Sequence, residues 1–199
     1  MMRKFILVAF SGLAVLGLAG VSEAHTFGAY GAGFGGGFFH PLGGFDHVLA
    51  MLGVGLWAGL RGKNAVWRLP ASFIAMMGVG GAAGMAGVFL PLAEVGIALS
   101  VFIIGIAVAL PWNTKVAPMM ALAGLFAIFH GYVHGEELPQ AALPALYGAG
   151  FVLATSLLLM AGTWAGTAMR QAGRPGVHWR VASGGFMAAA GVFFLAGVL

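Results

Sequence analysis

A chain of 199 residues that is 61% hydrophobic and only 7% charged cannot be a soluble domain, because soluble domains carry about 25% charged residues to cover their surface. Lipid must be the solvent for most of it. The formal charge of +4 does not point to nucleic acid, since the basic residues sit in short connections and form no contiguous patch, and the absence of cysteine excludes disulfides and thiolate metal sites.

The chain opens on what reads as a secretory leader over residues 1–24. Arg3 and Lys4 form the positive region, Phe5 to Gly20 the apolar region, and Ser22-Glu23-Ala24 the small-residue cleavage site. Cleavage there makes His25 the mature N-terminus, with an amine and an imidazole that together can chelate a metal; an uncleaved first helix is the alternative. Both readings place the following residues outside. Residues 25–43 are rich in Gly and aromatics (Phe27, Tyr30, Phe34, Phe38, Phe39) and read as a flexible, interfacial segment. Gly31-x-Gly33-x-x-Gly36 matches a dinucleotide fingerprint in form only, because no βαβ unit surrounds it.

About six apolar segments follow, each close to the roughly 20 residues that a membrane crossing needs. They cover 44–60, 68–90, 93–111, 117–135, 141–168 and 180–198, with Pro91, Pro111, Pro118, Pro139 and Pro175 at or near their ends. The small-residue pairs Gly55/Gly59, Gly80/Gly84, Gly131/Gly135 and Gly162/Gly166 favour close helix contact. The expected fold is therefore all-α: a polytopic membrane helix bundle forming one domain over 25–199. With the mature N-terminus outside, Arg61, Lys63, Arg68, Lys115, Arg170, Arg174 and Arg180 all fall on the inner side. Glu94, Glu136 and Glu137 fall on the outer side, which carries no Lys or Arg. This asymmetry obeys the positive-inside rule.

The same topology gathers the polar chemistry at one face. His40, Asp46 and His47 stand at the outer start of the first mature helix; His130, His134, Glu136 and Glu137 stand at the outer end of the fourth. His130 and His134 are four residues apart and share one helical face, so two imidazoles can reach one ion. Asp46 and His47 are adjacent and diverge on a regular helix, but Pro41, Gly43 and Gly44 break the backbone there and let His40 fold back toward His47. Neutral imidazole with carboxylate suits nickel, cobalt, zinc or copper(II) better than magnesium or calcium. Ionisable groups at membrane depth cost about 2.5–3.5 kcal/mol for an Asp and are functional candidates by default. His178, in a basic inner connection, and Met51, four residues after His47, read as structural.

The string His40-Pro41-x-x-Gly44-x-Asp46-His47, continuing through Val48 to Trp57, resembles the signature of the HupE/UreJ family of nickel/cobalt permeases. Phe129-His130-Gly131-Tyr132-Val133-His134-Gly135 with Glu136 or Glu137 resembles that family's second His motif. The resemblance runs over essentially the whole chain. It implies a secondary transporter in the bacterial cytoplasmic membrane that takes up nickel or cobalt for metalloenzymes such as hydrogenase or urease. It gives His40, Asp46 and His47 the leading functional roles, His130 and His134 the next, and Glu136 or Glu137 the third. On this reading the metal is cargo and there is no catalytic cofactor; the partners are the ion and the bilayer, and a homo-oligomer is left open. Ser72, Asn113, Thr155 and Ser156 are the polar groups available to line a path further in. The alternatives are an intramembrane zinc hydrolase, with Glu136 or Glu137 as general base, and a metal-sensing accessory subunit.

Overall fold

The computed structural model describes residues 33–111, 114–138 and 143–199. The expected leader and His25 lie outside the described residues. Those described form helices only: α1 (Phe34–Gly43), α2 (Phe45–Arg61), α3 (Ala65–Met85), α4 (Ala93–Ala109), α5 (Val116–Glu136), α6 (Pro144–Gln171) and α7 (Arg174–Val198).

Helices α2 to α7 stand where the apolar segments predicted them. By length and composition α5, α6 and α7 each suffice to cross a membrane, and α1 with α2 passes the same test only as a pair bent by 87°, the geometry of a broken span or a re-entrant loop. Helix α4 is apolar but has 17 residues, about 26 Å at 1.5 Å per residue, slightly under the roughly 30 Å hydrocarbon core. Helix α3 has the length, 21 residues, but carries Arg68 and, beyond its first two turns, draws half of its residues from Ala and Gly. The protein is thus a polytopic helical membrane bundle.

Two expectations are corrected. Residues 34–43, read as a flexible segment, form α1, which packs against α6: a Cβ on Gly37 would collide with the Tyr147 carbonyl, and one on Gly150 with the Phe34 carbonyl. Gly37, one of the glycines that suggested flexibility, is a means of close approach. The basic residues expected in connections largely sit on helices instead. Arg61 ends α2, Arg68 lies in the first turn of α3, Arg170 ends α6, and Arg174, His178 and Arg180 lie within α7. Long cationic side chains reach the interface from inside a helix, so a helix can extend past its apolar stretch.

The small-residue pairs match up between helices. Gly80 and Gly84 of α3 abut the Ile128 and Tyr132 carbonyls of α5, while Gly131 and Gly135 of α5 abut the Met77 and Gly81 carbonyls of α3. In the same way Gly55 and Gly59 of α2 meet α6, and Gly162 and Gly166 of α6 meet α2. A third such pair joins α4 and α7 through Gly105 and Gly184. Leu49, Met51, Val54, Leu69, Phe73, Ile104, Met119 and Leu159 fill the core between these pairs. Phe89, Trp164 and Phe193 face outward with most of their surface exposed, as suits a lipid-facing wall.

Candidate metal site

The site forms where α1 meets α2. Gly44 separates them in an extended conformation, φ −102° and ψ 119°. A Cβ at Gly44 would stand 2.6 Å from His47 Nδ1 and 2.8 Å from Asp46 Oδ1, so the position must be small for the pair that follows it to keep its place. The bend swings His40 over the end of the bundle while α2 carries His47 down into it.

Asp46 and His47 do not diverge. Oδ1 of Asp46 accepts the backbone N–H of His47 at 2.8 Å and lies 2.7 Å from His47 Nδ1. A carboxylate partner makes Nδ1 the protonated nitrogen and leaves Nε2 with a free lone pair. That Nε2 is buried with no hydrogen-bond partner. His130 repeats the arrangement by other means: its Nδ1 donates to the Phe126 carbonyl one turn back at 2.9 Å, and its Nε2 is buried and unpartnered. Both nitrogens of His134 are buried and unpartnered. Leaving a buried polar group unpaired costs about 1–3 kcal/mol, so a cluster of bare imidazole nitrogens requires an explanation.

The rings converge. The His134 centroid lies 4.4 Å from that of His47 and 4.7 Å from that of His40, and His47 lies 5.2 Å from His130. His134 therefore stands between His40 and His47, and His40 meets the cluster through it. Glu137, the residue after α5, brings its Oε2 within 3.4 Å of His40 Nε2. Ligand atoms of His40, His134 and Glu137 all lie within 4.8 Å of one another, the spacing of groups that could close on one ion. Glu136 is exposed and stands outside this group. Glu94, at the start of α4, lies near enough to His47 for their charges to interact.

Three further side chains complete the site and carried no signal in the sequence. Phe151 of α6 packs its ring 4.5 Å from His134, Tyr147 of α6 lies 5.7 Å from His40, and Phe73 of α3 lies 5.8 Å from His130. They belong to apolar segments rich in aromatics, where nothing local separates a wall of the site from packing. Met51 is core, as expected. Of the polar groups suggested for a path, Thr155 is fully buried against Met77, Ser72 donates to the Met120 carbonyl and Ser156 donates to the Val152 carbonyl on the exposed face; Asn113 lies outside the described residues.

Fold and site together define a class: a multi-helix membrane protein with a buried imidazole cluster, edged by carboxylates, at one end of its bundle. The family model described as HupE / UreJ protein matches residues 13–194. Protein HupE of Rhizobium leguminosarum bv. viciae is 39% identical over 185 residues, which cover 93% of this chain and 95% of that one. The chain belongs to the HupE/UreJ family. No solved structure matches it.

Proposed function

We propose that the protein is a secondary transporter for nickel or cobalt, capturing the ion with the imidazole–carboxylate cluster and supplying it for metalloenzyme maturation. The observation that carries this reading is the pair of histidines whose Nδ1 atoms are engaged and whose buried Nε2 atoms are bare. This is how a protein prepares imidazole for a transition metal, with a hydrogen-bond acceptor behind the ring fixing its tautomer and orientation. Family membership supports the same reading. In it, His40, His134 and Glu137 receive the ion first, and His47 and His130 take it further into the bundle. Asp46 acts behind His47, and the cluster faces the outside of the cytoplasmic membrane.

The test is nickel and cobalt uptake into proteoliposomes by the purified chain, His47→Ala and His134→Ala. The wild type should accumulate metal and both variants should fall to the background of empty vesicles. Normal uptake by the variants would show the site to be misassigned. A wild type that moves no metal under any gradient would end the transporter reading in favour of an accessory role, and a zinc ion that survives chelation would favour the hydrolase.

A further inference from the structure

At the end of the bundle opposite the histidines, a cavity of about 260 Å³ opens between α2, α4 and α7, lined by Trp57, Arg61, Val108, Pro111 and Arg180 among others. We propose that this cavity binds a phosphate-bearing anion, either the headgroup of an anionic phospholipid or free phosphate, between the guanidinium groups of Arg61 and Arg180.

The argument begins with counter-charge. Asp46, Glu94, Glu136 and Glu137 all stand at the histidine end, and the remaining acidic residue, Glu23, lies outside the described residues. The ion pairs among the described residues both involve histidines at that same end. Helix α7 also ends there, since Phe194 packs against Phe45 beside the site. No described carboxylate is available to the two arginines.

The positive-inside rule explains why arginines lie at this end, but it asks only that they reach water. These two do something else. Arg180 sits well inside α7, about 9 Å along the axis from its first residue at 1.5 Å per residue. Its Nε is buried with no hydrogen-bond partner. Arg61 is held toward the same cavity, because its Nε donates to the Thr114 carbonyl at 3.2 Å. A buried guanidinium donor with no acceptor, on the wall of an open volume far larger than the 10–15 Å³ that one water needs, calls for an acceptor-rich ligand. A phosphate supplies acceptor oxygens that match the guanidinium fork. Basic pockets between membrane helices bind phospholipid headgroups on this basis. The same positive charge excludes a divalent cation from the cavity, so the inference stands apart from the metal site.

The test is native mass spectrometry of the full chain released from zwitterionic detergent, titrated with phosphatidylglycerol, phosphatidylcholine or inorganic phosphate. Wild type should retain phosphatidylglycerol in preference to phosphatidylcholine. Arg180→Gln and Arg61→Gln should each weaken that retention about fivefold. Arg174→Gln, an exposed basic residue outside the cavity, should leave it unchanged, and Arg180→Lys, which keeps the charge but loses the fork, should fall between wild type and Arg180→Gln. Competition by inorganic phosphate that depends on Arg180 would support the site and assign it to free phosphate; protection by phosphatidylglycerol alone assigns it to lipid. Equal retention of the two lipids with no phosphate competition, or wild-type preference in both glutamine variants, would overturn the proposal.

Discussion

The two ends of the bundle treat polar groups in opposite ways. At one, imidazoles are drawn between the helices and buried, with carboxylates at the rim. At the other, arginines gather around a cavity with no described carboxylate near them. Close glycine contacts between helices occur toward both ends. Helices α3 and α5 touch through glycines Gly80, Gly84, Gly131 and Gly135 near the histidine end. Farther along, an open groove of about 360 Å³ lies beside Ser72, Met76 and Met120, and the two helices stay joined there by the Ser72 hydroxyl donating to the Met120 carbonyl. Helices α2 and α6 are in close glycine contact toward the arginine end, at Gly59 and Gly166. Close backbone approach therefore lies directly under the imidazoles of α5: Gly131 follows His130, and Gly135 follows His134. An imidazole can be buried in its neutral form, whereas a guanidinium stays charged, so the histidines are drawn between helices while the arginines stay around an open cavity.

The largest effect should come from breaking this contact. In Gly131→Val the new Cβ would occupy the position of the Met77 carbonyl, and neither helix backbone can yield without separating α3 from α5. Overpacking of this kind costs about 1–3 kcal/mol or more. Thermal unfolding in detergent should show a clear loss of stability, with nickel binding lost alongside it. A variant that melts as wild type does would mean that the glycine contact is not what holds the histidine end closed.

A smaller, more local effect is expected at Asp46. Asp46→Asn keeps the size of the side chain but removes the charge that fixes His47 with its proton on Nδ1. Loss of such a supporting partner lowers metal affinity about 10–100-fold. Calorimetric nickel titration should show that drop, while melting temperature and phospholipid retention stay at wild-type values. If phospholipid retention fell too, the two ends would be coupled and the contrast between them would fail.

Much of this was legible in the sequence, for reasons that differ from residue to residue. Helices α2 to α7 were readable because a membrane crossing imposes a long apolar run, and the two His clusters came together once the loop charges fixed the topology. Helix α1 was not readable: Gly35, Gly36 and Gly37 argue against a helix by propensity, and the contact with the Tyr147 backbone that requires Gly37 is visible only in the fold. The Asp46–His47 contact was also hidden, because ideal helical geometry separates neighbours and the helix begins at Phe45, immediately before them. The arginine cavity could not be foreseen, since Arg61 and Arg180 are far apart in the chain and each alone satisfies the positive-inside rule.

The finest distinction concerns two adjacent glutamates that the sequence left equivalent. Glu136 closes the last turn of α5 and is exposed; Glu137 follows the helix and turns its carboxylate to within 3.4 Å of His40. Both are near water, where charge is well solvated and an ion pair contributes only about 0–1 kcal/mol. Any effect of Glu137 on metal binding should therefore come through placing an oxygen among the ligand atoms, and through holding His40, more than through net charge. Glu137→Gln is expected to weaken nickel binding by up to about tenfold, the scale of losing one supporting group. Glu136→Gln, which removes the same charge one residue away, should change it by less than about twofold. Equal losses in the two variants would mean that the rim acts as a diffuse negative field, and that the contact between Glu137 and His40 has no separate role in capturing the ion.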